Sequence, residues 1–480
     1  MVVNSVPRQP HTANDLSMSI EKLSTAWRPP APAPRSSLRV GLQLLTGQAP
    51  DLLALLPRSC YRQDILSVPI GRRRVFIVNE PATVRRILNE DRAFYPKSDL
   101  MVSTLEPLIG EGVLASSGSR WEHDRKMLEP AFMQMRLEKL FPKMMDAVSD
   151  WMARLSALPP GSTIELEEEL SRVTADIMLR TLFSEPISGE DAARIFERFT
   201  SFQRNCPKFN PQVILHSRPE QPEPLPAALL EDARSIRGLL EKLLDQRLAQ
   251  RAAGKTYIDL AQSVIDARDP SGRPFTREQT IDQLAVFFLA GHETTASGLA
   301  WTFFILAQQP QWVAALRDDI HRHLGSRPFQ FEDHRTVMTA RTVFRESLRL
   351  YPPVAFLTRQ ALREDCFDRH RVPAGSFVVI SPWVIHRHQR YWQNADRFDP
   401  TRFNDDRGLP SPGSYLPFGL GPRACTGAMM AQLEASLILV EAWRRFSFET
   451  LQPGNVFPIT RISVRMRQSL PCRLHRAAAA

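Results

Sequence analysis

The strongest constraint in the sequence is a glycine-rich loop that contains one cysteine. The loop is Phe418-Gly-Leu-Gly-Pro-Arg-Ala-Cys-Thr-Gly427, and it continues into residues 428–440, which have helical composition and no helix breaker. A loop of this kind allows tight turns, and it leaves unpaired backbone N–H groups at the positive end of the following helix. Such N–H groups favour the thiolate form of a cysteine. The sequence therefore predicts a sulfur anion at Cys425 on a rigid support.

Three chemical roles are compatible with this cysteine. A redox-active dithiol needs a second cysteine nearby, and the loop has none. A hydrolase nucleophile needs a basic partner, which no histidine in the loop supplies, although a distant histidine could. A metal ligand needs only the thiolate, and a lone cysteine thiolate is a known ligand of haem iron. Composition alone leaves these roles open, together with that of a plain turn.

The spacing within the loop is more specific than its composition. Phe418, Gly421, Arg423, Cys425 and Gly427 match every fixed position of the haem-binding signature Phe-x-x-Gly-x-Arg-x-Cys-x-Gly. The chain therefore resembles a cytochrome P450. The resemblance implies a mainly α fold with a smaller β lobe that encloses haem b. It also implies that Cys425 is the axial thiolate ligand and that the other four positions contribute to haem binding.

The charge balance narrows the choice of partner. Lys and Arg number 61 against 52 Asp and Glu, which gives a net charge of +9. The basic residues are scattered, and residues 72–74 are the only run of three arginines. We therefore rank nucleic acid last and an acidic electron-transfer protein first.

Cysteine usage and hydropathy predict the compartment and the domain plan. The five cysteines form no Cys-x-x-Cys pair, which favours a reducing compartment. No stretch approaches the ~20 apolar residues that span a bilayer, and the N-terminus lacks the apolar core of a signal peptide. We expect a monomeric cytoplasmic protein that resembles the soluble bacterial type. Residues 1–37 are expected to form a proline-rich, poorly ordered leader, and residues 38–480 a single catalytic domain.

The segment from Thr280 to Leu306 is apolar almost all round, which predicts a buried helix. Placing Gly291-His-Glu-Thr-Thr295 in its middle costs both helix propensity and desolvation, so a purely structural helix would not gain from it. The segment matches the oxygen-activation motif of the family that the chain resembles. The resemblance assigns proton delivery to Glu293 and Thr294.

Further haem contacts are implied by the resemblance. Trp121 and Arg125 stand four residues apart, on one helix face. Without context they would read as a buried indole and a solvated arginine, but in the family the Trp-x-x-x-Arg element contacts a haem propionate. Arg359 falls where the family places another propionate arginine.

Glu346 and Arg349 match the Glu-x-x-Arg element of the family, and Arg402 matches its second arginine. Taken alone, the first two would be a solvated helix pair worth a few tenths of a kcal/mol. The resemblance implies instead a buried structural network that supports haem retention.

Candidate substrate contacts lie in the central helix and in a strand that follows the Pro-Pro pair at 352–353. The candidates are Phe287, Phe288, Gly291, Val354, Ala355, Phe356 and Leu357. Because most are apolar, we expect a lipophilic substrate such as a terpenoid, steroid, fatty acid or polyketide.

The resemblance implies a haem-thiolate monooxygenase that uses O2 to hydroxylate its substrate. The chain has no Gly-rich nucleotide fingerprint and no length left for a flavin domain. Electrons from NAD(P)H are therefore expected to arrive through a ferredoxin or flavodoxin with its reductase. The alternatives are a peroxide-driven peroxygenase, a haem-thiolate rearrangement enzyme, a haem sensor or electron carrier, and a hydrolase that uses Cys425.

Overall fold

The structure is a computed structural model that describes residues 27–46, 51–70, 73–98, 103–206, 224–404 and 411–477. Helices dominate it, and within these ranges the α-helices are α1 (Ser37–Thr46), α2 (Pro81–Arg85), α3 (Glu106–Ile109), α4 (Gly118–Leu128), α5 (Gln134–Ser156), α6 (Leu166–Phe183), α7 (Glu190–Asn205), α8 (Ala227–Ala252), α9 (Leu260–Asp266), α10 (Arg277–Ala307), α11 (Pro310–Leu324), α12 (Asp333–Thr336), α13 (Met338–Leu350), α14 (Pro382–Ile385) and α15 (Ala428–Arg445). None of the helices in the described ranges is long and apolar enough to cross a membrane.

The β part is small, and in the described ranges it is divided among four sheets. The strands are β1 (Ile65–Ile70), β2 (Arg73–Val78), β3 (Thr163–Glu165), β4 (Leu357–Gln360), β5 (Asp365–Phe367), β6 (His370–Val372), β7 (Phe377–Ile380), β8 (Phe446–Thr450), β9 (Pro458–Thr460), β10 (Val464–Met466) and β11 (Pro471–Arg476). The largest sheet has the order β1-β2-β7-β4, in which only the β2–β7 pair is parallel. The predicted mainly α fold with a smaller β lobe is confirmed.

Helix α10 runs through the centre of the fold. A reciprocal capping box between Thr276 and Gln279 fixes its start. Its indole Trp301 stacks on Tyr351 with ring centroids 3.8 Å apart. Between residues 280 and 306 every residue is buried except Ala290, Gly291 and Thr294. Between residues 280 and 306, α10 is therefore buried except at one point near its middle, which we call the open point of α10.

The leader differs from the expectation over residues 27–36. Trp27 packs against Phe304 of α10, and the hydroxyl of Tyr351 donates a hydrogen bond of 2.7 Å to the carbonyl of Pro30. Proline density favours an extended chain, but an extended chain can still be held by a large aromatic anchor and by its free carbonyl groups. Residues 1–26 of the predicted leader lie outside the described residues.

Helices α7 and α8 pack over α10. Phe199 of α7 meets Phe288 edge-on at 5.4 Å. Arg247 of α8 is buried, and its guanidinium contacts both carboxylate oxygens of Asp259, at 2.9 and 2.7 Å. Because Asp259 also caps α9 through the amide of Gln262, this buried pair fixes α8 to the helical core.

Candidate functional site

The open point of α10 is one wall of the site. Ala290 is exposed and Thr294, one turn later, is half-buried, although the helix around them is buried. The hydroxyl of Thr294 donates a hydrogen bond of 2.8 Å to the carbonyl of Ala290. Its oxygen remains able to accept a hydrogen bond, since a hydroxyl carries one donor and two acceptor positions.

The cysteine loop is the opposite wall. The amide of Cys425 donates a hydrogen bond of 2.8 Å to the carbonyl of Phe418, which closes the loop. Gly421 has a φ of +73°, and a methyl group there would lie 2.5 Å from the carbonyl oxygen of Leu88. Glycine is therefore needed at this position both for its conformation and for the close approach of a neighbouring backbone.

Cys425 as a residue is exposed, although protein atoms surround much of its thiol. Burial by the surrounding protein raises its pKa, while the amide of Gly427 and the charge of Arg125 act in the opposite direction. The loop alone therefore does not make the thiolate dominant, in contrast to the sequence prediction. The low-dielectric surroundings outweigh the N–H groups, and a bound metal cation would reverse this balance.

Phe132 connects the two walls. Its ring meets Phe287 of α10 edge-on at 5.0 Å. It also lies 4.0 Å from the position that a Cβ atom would take at Gly427. The open point of α10 and the cysteine loop thus belong to one cavity.

Three cations line this cavity without an acidic partner. Lys97, Arg359 and Arg423 have no carboxylate within ion-pair distance in the described part of the chain. Burial is the largest effect on the pKa of each of the three groups. It lowers the pKa of Arg359 and of Arg423 to about 10. At Lys97, burial and the positive charges of Arg423 and Arg359 together lower the pKa to about 7. The Nη1 atom of Arg423 is buried and has no hydrogen-bond partner among the described residues.

Trp121 and Arg125 of α4 lie beside these cations. Trp121 is buried, and the guanidinium of Arg423 lies over its ring in a cation–π contact, with Cζ 4.1 Å from the ring centroid. Arg125 donates a hydrogen bond of 2.9 Å from Nη1 to the carbonyl of Ala424 and is 3.3 Å from Glu129. In this structure Trp121 therefore positions Arg423, and Arg125 holds the backbone of the cysteine loop.

Haem b fits this arrangement of charge. It carries two propionate carboxylates, and the cavity offers cations whose only described partners are carbonyl groups, together with a guanidinium N–H of Arg423 that has no partner among the described residues. Burying cations without counter-charge is costly, so a dianionic group between them would be strongly favoured. The thiol of Cys425 on the same cavity is the donor that haem iron accepts.

Lys97 was missed by sequence reasoning. It lies in a short segment that forms a β-bridge with Arg359, and its ammonium donates to the carbonyl of Leu114. A lone lysine after Tyr95-Pro96 carries no motif, so the sequence offered no signal for it. Only the pairing with β4 reveals that it shares the cavity.

Glu293 points away from the exposed face of α10. Its Oε1 accepts hydrogen bonds from the hydroxyl of Ser463 at 2.7 Å and from Nε of Arg465 at 2.9 Å, and its Oε2 accepts one from Nη2 of Arg465 at 2.5 Å. The side-chain amide of Gln203, from α7, also donates to Oε2. Burial acts to raise the pKa of Glu293, but the charge and hydrogen bonds of Arg465 hold it below its usual value.

The candidate substrate contacts divide into two groups. Val354, Phe356 and Leu357 are half-buried, and Phe287 meets Phe132 beside the cysteine loop. Phe288 and Ala355 are buried, whereas Gly291 lies at the open point of α10.

Phe288 faces the core and not the cavity. It is 1% exposed and stacks on His292, with Phe199 beside both rings. It lies on the side of α10 opposite Ala290, because two residues rotate a helix by about 200°. His292 shares this packing; neither ring nitrogen has a hydrogen-bond partner in the described residues, and burial lowers its pKa to about 4.

Gly291 has a packing role in addition to its place at the open point of α10, and Ala355 is buried. A methyl group at Gly291 would lie 2.1 Å from the sulfur of Met178, so glycine allows α6 to approach α10 closely. Ala355 is 4% exposed, and its carbonyl accepts a hydrogen bond of 2.9 Å from Ser381.

Glu346, Arg349 and Arg402 meet in one network. The carboxylate of Glu346 accepts two hydrogen bonds of 2.7 Å from Arg349, and both side chains are fully buried. Arg402 adds a contact of 3.3 Å to Glu346. Arg349 also donates to the carbonyls of His386 and Ala395, both at 2.7 Å. The pair therefore ties α13 to the irregular segment that precedes the cysteine loop, and removing either partner would leave a buried charge uncompensated.

Comparison with known proteins identifies the family of this chain. A sequence profile of the cytochrome P450 family matches residues 29–472. Among curated proteins, cytokinin hydroxylase of Arabidopsis thaliana is 28% identical over 393 residues, which cover 81% of this chain and 76% of that protein. Pentalenene oxygenase of Streptomyces avermitilis is 26% identical over 412 residues, 86% of this chain and 90% of that protein.

A solved structure shows the same fold. The haem domain of cytochrome P450DA superposes with a TM-score of 0.79 at 21% sequence identity, and the match covers 94% of this chain and 98% of that one. The chain belongs to the cytochrome P450 family and is a cytochrome P450 monooxygenase. Members of this family bind haem through a cysteine thiolate and use O2.

Alanine substitutions at Gly421 and Gly419 separate two requirements of the cysteine loop, which are a positive φ and the close approach of a neighbouring backbone. Both glycines have a φ of +73°, but only Gly421 faces a backbone atom at 2.5 Å; at Gly419 the nearest atom is 3.9 Å away. We expect Gly419→Ala to lower the free energy of unfolding by about 1 kcal/mol, from backbone strain alone. Gly421→Ala should cost clearly more, because Leu88 must also move. Chemical denaturation measures both, and equal losses would contradict the close approach.

Proposed function

We propose that Cys425 is the axial ligand of haem b in this enzyme, and that Lys97, Arg359 and Arg423 hold the haem propionates. The observation that carries the proposal is a group of neighbouring cations without carboxylate partners, one of which, Arg423, belongs to the loop that carries Cys425. Bound through a thiolate, haem supplies the cleavage of the O–O bond. The protein supplies orientation, exclusion of water and proton delivery.

We further propose that Thr294 and Glu293 carry the protons for this reaction. Thr294 presents its hydroxyl at the open point of α10, where it can bind water or a polar oxygen of the reacting group. Glu293 is the next residue in the chain, and its carboxylate is held inside the protein by Arg465 and Ser463. The pair gives one group at the cavity and one that is sheltered from it, which admits protons without admitting bulk water.

The proposed substrate is a lipophilic small molecule, with a terpenoid as the favoured class. The half-buried side chains Val354, Phe356 and Leu357 are apolar, and so is Phe287. Among the relatives, pentalenene oxygenase is named for a terpenoid substrate. Steroids, fatty acids and polyketides remain the comparison classes.

We propose that electrons come from NAD(P)H through a ferredoxin or flavodoxin, as in the soluble bacterial members of the family. The turn between α4 and α5 lies against the cysteine loop through Phe132. Met133, at the end of this turn, and Met135, in the first turn of α5, are 57% and 74% exposed. Lys126 is exposed one residue after Arg125. An apolar patch with a nearby cation suits a small acidic carrier.

A reconstituted assay tests the proposed function. Purified protein, NADPH, ferredoxin and its reductase are incubated under labelled O2 with a set of terpenoids, steroids and fatty acids. We expect one terpenoid class to shift the haem to its high-spin form and to acquire one labelled oxygen atom. In the same assay Lys126→Glu should slow reduction of the haem more than Lys139→Glu does, most strongly at low salt. Binding without labelled product would contradict the proposed function.

Replacement of Lys97 tests the propionate site. We expect Lys97→Ala to speed transfer of haem to apomyoglobin roughly tenfold, since one charge-assisted hydrogen bond of about 1.4 kcal/mol is lost. Lys139→Ala, which removes an exposed lysine of α5, is the matched control and should leave the rate unchanged.

The pH dependence of haem binding gives a second readout at Lys97. Without haem, burial and the neighbouring arginines lower its pKa to about 7, whereas bound propionates would keep it charged. At Lys97, haem binding then takes up a proton above pH 7, whereas ionisation of Cys425 on ligation acts equally in wild type and in the variant. The ratio of wild-type to Lys97→Ala affinity should therefore fall as the pH rises from 7 to 9, so the two slopes should differ. An unchanged slope in the variant would show that Lys97 does not face the propionates.

A further inference from the structure

Glu293 holds no proton in the arrangement described above. Arg465 and Ser463 donate to both of its oxygens and hold its pKa below the usual value against the effect of burial. Its side chain is 2% exposed, so solvent does not reach it directly. A proton that arrives at Thr294 through Glu293 must therefore come from another group.

Glu167 lies on the other side of the same arginine. Its Oε1 is 3.5 Å from Nη1 of Arg465, while Nη2 of Arg465 is 2.5 Å from Oε2 of Glu293. Glu167 belongs to the first turn of α6, and its side chain is 16% exposed. One guanidinium thus contacts two carboxyl groups, and Glu167 is the one that solvent reaches.

The surrounding charges set the protonation of Glu167. Burial is the largest effect and raises its pKa to about 7, assisted by Glu293 and Glu168, whereas Arg465 and Arg461 act in the opposite direction. The positive end of α6 also favours the ionised form. Since two carboxylates share mainly one close guanidinium, a single proton on the pair is favoured near neutral pH, and the stronger contacts of Arg465 keep it off Glu293.

We propose that Glu167 is the group that supplies protons from solvent to Glu293, and that Arg465 changes partner as each proton moves. The inference rests on the proposed function, because it takes Glu293 as the acid that serves Thr294. Glu167 acts through Glu293 and touches neither the substrate nor the haem site.

The transfer leaves the charge of the group unchanged. The O–H bond of Glu167 breaks, its electron pair stays on the Glu167 oxygen, and the proton bonds to a carboxylate oxygen of Glu293. Arg465 then pairs with the newly ionised Glu167 and releases Glu293, which is free to pass the proton on to Thr294. Solvent returns a proton to Glu167. The guanidinium moves opposite to the proton, so no step leaves an unpaired buried charge.

Infrared titration tests the protonation of Glu167 without turnover. We compare purified holoenzyme with Glu167→Gln and with the control Glu168→Gln, which changes the exposed next residue of α6. Wild type should lose the carbonyl stretch of one protonated carboxyl as the pH rises through neutrality, and the control should lose it at a slightly lower pH, because the charge of Glu168 helps to raise the pKa of Glu167. Glu167→Gln should lack that change. A variant that keeps it would overturn the proposal.

Turnover gives the second test. We expect Glu167→Gln to bind haem and substrate as wild type does but to form product about tenfold more slowly, with a larger solvent isotope effect. More of the NADPH should be consumed without product, and the rate should lose its dependence on a group that titrates near pH 7. Glu167→Asp should restore part of the rate. A change in thermal stability without a change in pH profile would mean that Glu167 is structural and would overturn the proposal.

These experiments distinguish failure of the proposed function from failure of the proton route through Glu167. If wild type forms no labelled product, the proposed function fails, whatever the infrared titration of Glu167 shows. If wild type is active and Glu167→Gln matches it at every pH, the proton route fails while the proposed function stands.

Discussion

Uncompensated positive charge inside the cavity is the constraint on which the rest of the site depends. Lys97, Arg359 and Arg423 come from separate parts of the chain, and the described residues place no carboxylate within ion-pair distance of them. A fold that buried them for stability alone would gain nothing, because each cation loses hydration. A dianionic group would offset this cost, so binding of haem and stability of the cavity are coupled.

Two rigid frames hold this charged cavity open. The buried Glu346–Arg349 pair fixes α13 to the segment that leads into the cysteine loop. On the other side, α10 is buried along its length except around Ala290 and Thr294. Catalytic groups placed on a long, packed helix and on a loop closed by its own hydrogen bond have little freedom, which favours a fixed geometry between them.

The sequence predicts best those features whose residues lie close together in one element. The spacing from Phe418 to Gly427 and the Glu-x-x-Arg pair are local patterns, which can be recognised without knowledge of the fold. The partners of Glu293 could not be found in this way. Gln203, Ser463 and Arg465 come from α7 and from β10 with the turn before it, 90 to 172 positions away in the chain.

The sequence predictions were wrong where the sequence pattern does not show which way a side chain points or what surrounds it. A helix that is apolar on every side has no periodicity, so it does not reveal that Phe288 faces Phe199 while its neighbour Phe287 faces the cavity. The residues of 27–36 were misjudged for a related reason, since proline content describes the backbone but not the anchoring of Trp27. The tendency of Cys425 toward thiolate was overestimated because the desolvation of its surroundings appears only in three dimensions.

The most direct test is the absorption spectrum of the reduced carbon monoxide complex of wild type and of Cys425→His. We predict the red-shifted Soret band of a thiolate-ligated haem for wild type. Cys425→His should retain haem, because the propionate cations are unchanged, but should lose the red shift. A wild-type spectrum without the thiolate band, or a red shift that survives in Cys425→His, would contradict the assignment of Cys425 as the haem ligand.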